Sequence, residues 1–92
     1  MTGKEFLNKL GITKEGIESD DGIYTIHFDS SNEFSRAYTI LDKAKNVDLD
    51  SESVVMTEEN VLMTYLADDF DILLKADLKN KRYSIEISEV VE

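Results

Sequence analysis

The nine residues from 70 to 78 constrain the fold of this chain more than any other segment. Every second residue of this segment is apolar without exception: Phe70, Ile72, Leu74, Ala76 and Leu78. This period of two predicts a half-buried β-strand. The same residues also fit a helix that is capped by Asp68 or Asp69 and has Phe70, Leu73, Leu74 and Leu78 on one face. The two interpretations lead to different sheets, so this segment decides the architecture.

The segments before residue 46 predict two helices and one strand. Thr2 and Glu5 have the spacing of a capping box, and Gly11 suits the left-handed position that ends a helix, which predicts a helix over 2–10. Residues 12–22 read as a connector with one further helical turn after Thr13. Alternation predicts a strand over 23–29, and a second capping box of Ser30 and Glu33 begins a long helix over 30–45. That helix carries an apolar stripe of Phe34, Ala37, Tyr38, Leu41 and Ala44.

The remaining segments predict an antiparallel sheet. Strands are expected over 54–56, 61–66 and 82–90, and residues 58–60 are expected to form a hairpin loop. If residues 70–78 form a strand, the chain is an α+β protein with an N-terminal helix, a strand, a long helix and a β-meander, in a cystatin-like wrap. If they form a helix, the order becomes a ferredoxin-like βαββαβ. We favour the meander because the alternation is unbroken, and we expect residues 1–92 to form a single α+β domain.

A span without positive charge dominates the second half of the chain. No lysine or arginine occurs between Lys45 and Lys75, whereas eight carboxylates do. Such a span attracts basic proteins and disfavours direct contact with nucleic acid or an anionic membrane. We therefore expect a basic protein partner and assign its binding to these eight residues: Asp48, Asp50, Glu52, Glu58, Glu59, Asp68, Asp69 and Asp71. Because successive hairpin turns lie at alternate ends of a sheet, the eight are expected to occupy two rims.

Residue types argue against an enzyme. The chain has one histidine, no cysteine, no glycine-flanked serine and no phosphate-binding glycine loop. His27 is expected to face solvent. The spacing of Asp48, Asp50, Glu52 and Glu59 has some likeness to a calcium-binding EF-hand loop, but Ser53 stands where that loop requires glycine. We therefore predict no catalytic residue, no cofactor and no metal site.

Three functions fit this composition. The leading hypothesis is a small acidic inhibitor, or DNA-mimic decoy, that covers the basic surface of a nucleic-acid enzyme. It would act as an immunity protein or as a phage or plasmid anti-defence protein. The alternative is a structural, adaptor or self-assembling domain whose apolar sheet face makes the contact. A third possibility is a binder of a small ligand between helix and sheet. The lack of cysteine favours the cytoplasm, and the sequence does not indicate an oligomeric state.

Overall fold

A computed structural model describes residues 1–90 as two helices and a six-stranded antiparallel sheet. The α+β class is therefore confirmed. Residues 70–77 form a strand, so the ferredoxin-like alternative is wrong. In chain order the elements are α1 (Gly3–Leu10), β1 (Ile17–Glu18), β2 (Tyr24–Phe28), α2 (Ser31–Lys43), β3 (Asp48–Met56), β4 (Asn60–Leu66), β5 (Phe70–Asp77) and β6 (Arg82–Glu89).

The order of strands across the sheet is β1-β2-β6-β5-β4-β3. The strand before the long helix, β2, pairs with the last strand, β6. The α2 connection therefore carries the chain from β2 to β3 at the far edge, and the chain returns strand by strand through β4 and β5. The structure confirms the meander but does not confirm the cystatin-like form of the wrap.

Both helices begin at the predicted caps, but α2 differs from the prediction in its capping box and in where it ends. Thr2 and Glu5 form the complete capping box of α1, and Gly11 ends that helix at φ 106°. The hydroxyl of Ser30 accepts a hydrogen bond from the Glu33 N–H, but the Glu33 carboxylate accepts from the Asp29 N–H instead of closing a second box. Helix α2 also ends at Lys43, two residues early, where the next residue adopts an extended conformation.

Two predictions, one of a helical turn and one of a strand boundary, are wrong. No helical turn follows Thr13, and residues 17–18 instead form the short edge strand β1. Just before this strand, the Gly16 N–H donates a hydrogen bond to the Tyr24 hydroxyl at 2.7 Å. Strand β3 begins at Asp48 and not at Val54. The first three residues of β3, Asp48 to Asp50, pair with β4, and this pairing outweighs their low intrinsic preference for strands.

Both helices pack on one face of the sheet. Leu7 of α1 and Leu41 of α2 join a single buried core with residues such as Ile26, Leu74 and Ile85, all of which are fully buried. The opposite face carries the alternate residues of each strand, and none of those residues is buried in the described part of the chain. The domain thus has two layers, and we call the uncovered side the open face.

Candidate interaction surface at the acidic end of the sheet

The topology divides the eight predicted binding residues between the two ends of the sheet. The Leu78 N–H donates to the Glu59 carbonyl at 2.7 Å, which places the β3–β4 loop beside the β5–β6 turn. The Val90 N–H donates to the Asp69 carbonyl at 2.9 Å, which places the β4–β5 loop at the opposite end, beside the end of β6. Glu58 and Glu59 are therefore separated from Asp68 and Asp69 by the length of the strands.

Strand register brings Asp48 and Asp71 to the same end as the β4–β5 loop. Asp48 is paired with Leu66, and Leu66 is paired with Asp71. The two carboxylates therefore lie on the same face, two strands or about 10 Å apart. Asp68 and Asp69 occupy the loop that connects these strands, so half of the predicted residues meet here.

Four further carboxylates, which the sequence analysis did not include, lie at this end. Glu89 is paired with Phe70 at the end of β6. Tyr24 pairs with both Glu18 and Ile87, so the β1–β2 turn that follows Glu18 lies beside the same strand ends. The signal for this turn in the sequence is the run Glu18-Ser19-Asp20-Asp21 just before a strand, within the connector predicted over 12–22. We name the whole set the acidic end: Glu18, Asp20, Asp21, Asp48, Asp68, Asp69, Asp71 and Glu89.

The acidic end keeps most of its negative charge. All eight side chains are exposed, and within residues 1–90 none of them lies within 4 Å of a lysine, arginine or N-terminal nitrogen. Three positive groups, those of Lys9, Lys45 and Met1, line a cleft together with Asp68 and Asp69. Three positive charges against eight negative ones leave a negative field at this end.

The opposite end of the sheet has mixed charge. The β5–β6 turn beside Glu58 and Glu59 carries Lys79 and Lys81, and Arg82 follows at the start of β6. In the same turn, the Asp77 carboxylate accepts hydrogen bonds from the side chain and the backbone N–H of Asn80, which lower its pKa. Glu58 and Glu59 therefore lie beside a turn that carries positive charge, and they contribute less to a one-sided negative field.

The remaining two predicted residues, Asp50 and Glu52, lie in an irregular part of the edge strand β3. Asp50 pairs with Thr64 and Val55 pairs with Leu62, so four residues of β3 stand opposite a single residue of β4. A charged and bulged edge prevents pairing with other sheets. Protection of this edge is therefore a second explanation for the charge of Asp50 and Glu52, and it does not apply to the turn residues of the acidic end.

No family model, curated protein or solved structure matches this chain. Within residues 1–90, no group of three or more histidine, cysteine, aspartate or glutamate side chains is arranged to hold a metal ion. Neither described helix has both the length and the apolar character that crossing a bilayer requires.

Proposed function

We propose that this protein binds the basic surface of a nucleic-acid enzyme through its acidic end, and that it acts there as an inhibitor or DNA-mimic decoy. The observation that carries the proposal is the convergence of eight exposed carboxylates from four separate strand ends and turns. Their side chains form no close ion pair within the described residues. A basic partner would therefore find these charges available.

The charge density of the acidic end supports the comparison with nucleic acid. Six strands at about 4.8 Å spacing give the end a width of roughly 24 Å, or about one carboxylate per 3 Å. One strand of duplex DNA carries a negative charge every 3.4 Å or so along the helix axis. An enzyme that steers DNA with a row of lysines and arginines would experience a similar field here, and the attraction would speed its encounter with the protein.

Two biological settings suit such a protein. An immunity protein neutralises a nuclease toxin made by its own cell, and an anti-defence protein of a phage or plasmid blocks a restriction or CRISPR effector. In both settings the target works on DNA or RNA in the cytoplasm, where a domain without cysteine is at no disadvantage. The small size and the high negative charge fit both equally.

Two hairpin loops provide a matched test. Asp68 and Asp69 form the exposed tip of one loop, and Glu58 and Glu59 form the exposed tip of another at the opposite end of the same sheet. Cleavage of DNA by a panel of purified toxin nucleases, restriction enzymes and CRISPR effectors is measured with and without the protein, at about 50 and 300 mM salt. The double variants Asp68→Asn/Asp69→Asn and Glu58→Gln/Glu59→Gln are then compared on any enzyme that is inhibited.

The two variants should differ clearly. Exposed charge pairs contribute about 0.2–1 kcal/mol each, so loss of Asp68 and Asp69 should weaken inhibition by about 2- to 30-fold. Loss of Glu58 and Glu59 should change it by less than about 2-fold, because they lie at the opposite end of the sheet, beside the turn that carries Lys79 and Lys81. Inhibition should also weaken at the higher salt concentration. Equal effects of the two variants, inhibition that is independent of salt, or no inhibition of any enzyme in the panel would refute the proposal.

A further inference from the structure

The face of the sheet that carries the helices is covered only in part. Helix α1 packs mainly on β6, and α2 packs mainly on β2 and β6. Burial on this face therefore falls towards the β3 edge. Leu74 of β5 is fully buried, its neighbour Met63 of β4 is half-buried, and Met56 of β3 is 70% exposed. Strands β4 and β3 thus extend beyond the cover that the helices provide.

The uncovered part of this face is a continuous apolar strip. Val61 and Met63 pack against the core and Tyr65 belongs to it, so these three lie in a row on the helix side of β4. Strand register places Met56 beside Val61 and Leu49, which is 41% exposed, beside Tyr65. A contiguous exposed apolar area indicates a contact surface. We name this strip the apolar shelf: Leu49, Met56, Val61, Met63 and Tyr65.

The charged residues that border the apolar shelf are acidic. Asp42 stands on the α2 side, where its carboxylate accepts a hydrogen bond from the Tyr65 hydroxyl at 3.0 Å. Glu58 and Glu59 occupy the loop that joins β3 to β4, just after Met56. Strands β3 and β4 and the loop between them carry no lysine or arginine. The shelf therefore has a negative border.

The cations of the neighbouring elements point to other surfaces. Arg36 and Lys43 line grooves on the side of α2 that faces α1 and the loop after it. Lys45 lines the cleft at the acidic end, and Lys81 lines a groove on the open face. Lys79 belongs to the turn beside the β3–β4 loop. Even with Lys79 counted, the border of the shelf has a net negative charge.

We propose that the apolar shelf binds an amphipathic helix of a partner protein, with lysine or arginine along both flanks of that helix. Strands β4 and β3 extend two strand spacings, or about 10 Å, beyond β5, which matches the diameter of one helix. The seven residues of β4 span about 23 Å, the length of a helix of about 15 residues. The partner helix would lie beside α2 and complete the helical layer, with its cations near Asp42, Glu58 and Glu59.

An added strand and a second copy of this chain fit the shelf less well. The irregular stretch between Asp50 and Val55 interrupts the row of backbone groups that an added strand needs. Two copies that met shelf to shelf would bring their acidic borders together, which costs free energy. A basic amphipathic helix has neither conflict, and the flexible side chains of Met56 and Met63 can adapt to it.

Binding of a synthetic peptide to the purified chain tests the proposal. The peptide has about 15 residues, with leucine at every third or fourth position and lysine on both sides of that stripe. One control peptide has the same composition with the leucines out of register, and another has glutamate in place of lysine. Fluorescence anisotropy at about 150 mM salt gives each Kd. Because the shelf is much smaller than a standard interface, we expect a Kd of about 10–100 µM for the first peptide and at least tenfold weaker binding of both controls.

Val55 and Met56 provide matched variants of the protein. They are adjacent exposed residues of β3 on opposite faces of the sheet, because Val55 pairs with Leu62 of the open face and Met56 pairs with Val61 of the shelf. Met56→Glu should weaken binding of the basic amphipathic peptide at least tenfold. Val55→Glu should change it by less than about twofold. Circular dichroism of each variant verifies the fold.

A charge variant tests the acidic border. Asp42→Asn keeps an oxygen that can accept from the Tyr65 hydroxyl but removes the negative charge, so it should weaken peptide binding by about 2- to 5-fold. The variant Asp68→Asn/Asp69→Asn, which should lose inhibition of a nucleic-acid enzyme, should bind the peptide within about twofold of the wild type. The binding assay contains no such enzyme, so its result is independent of the function proposed above.

Four results would overturn the proposal. These are no binding by the wild type at about 500 µM peptide, equal binding of the control peptides, equal effects of Met56→Glu and Val55→Glu, and an Asp42→Asn variant that binds as the wild type does. Sedimentation equilibrium of the chain alone adds one more test: self-association that Met56→Glu abolishes would show that a second copy occupies the shelf and would also refute the proposal.

Discussion

Replacing Ser53 with alanine should destabilise the protein more than any other exposed or half-buried serine-to-alanine change. The Ser53 hydroxyl closes the irregular stretch of β3: it donates to the Asp50 carbonyl at 2.6 Å and accepts from the Thr64 N–H at 2.9 Å. The Ser53 side chain thus takes the place of backbone hydrogen bonds between β3 and β4 that are missing in the irregular stretch. Alanine at this position would leave both backbone groups without that partner.

The size of the effect follows from the accessibility of those groups. An unsatisfied buried donor costs about 1–3 kcal/mol, and a typical hydrogen bond contributes about 0.5–1.5 kcal/mol. Ser53 and Thr64 are only half-buried, at the edge of the sheet, so water can replace part of what is lost. We expect a loss of about 2 kcal/mol in the free energy of unfolding, which for a domain of this size lowers Tm by about 8–16 °C.

Ser51 is the matched control. It lies in the same irregular stretch and is exposed, and within the described residues its side chain makes no hydrogen bond. Urea unfolding followed by circular dichroism at pH 7 should show a lower midpoint for Ser53→Ala and a change below about 0.5 kcal/mol for Ser51→Ala. If the two variants unfold at the same midpoint, the Ser53 hydroxyl does not stabilise the sheet and our account of β3 is incorrect.

Two further predictions concern the turns. Asn80→Ala should raise the pKa of Asp77 towards its ordinary value of 3.8, measured by carboxyl-carbon NMR. Because the pKa of Asp77 is lowered in the folded protein, its stabilising effect is present at pH values above the ordinary pKa. That effect is lost as the pH falls through the lowered pKa. An Asp77 titration that is unchanged in the Asn80→Ala variant would contradict this prediction. Gly16→Ala should lower the free energy of unfolding, measured with urea, by about 1–3 kcal/mol, because a Cβ there would clash with the Thr25 carbonyl oxygen. Gly22→Ala, with open space around it but φ 79°, should cost less, about 1–2 kcal/mol, and a larger loss for Gly22→Ala would contradict this account.

The residues of the acidic end could be predicted only in part from their positions in the sequence. The cation-free span includes Asp48, Asp68, Asp69 and Asp71, which lie together because strand pairing places Asp48 and Asp71 on either side of Leu66, beside the β4–β5 loop. It also included Glu58 and Glu59, which are close in sequence but lie at the other end of the sheet. It left out the β1–β2 turn, which is distant in sequence and near in space. Sequence proximity equals spatial proximity only within one loop or turn, and strand pairing decides which loops lie together.

The sequence by itself determined several local elements: the Thr2 cap, the glycine that ends α1 and the start of α2. Over 70–78 it favoured a strand and left a helix open. These features depend on residues within one or two turns of each other, where backbone hydrogen bonds and side-chain periodicity act locally. Only the tertiary structure decided that β2 pairs with β6, that β3 begins at Asp48 and that an acidic end exists. Those outcomes depend on which distant backbone groups satisfy each other and on which apolar faces can be buried together, and both are properties of the whole sheet.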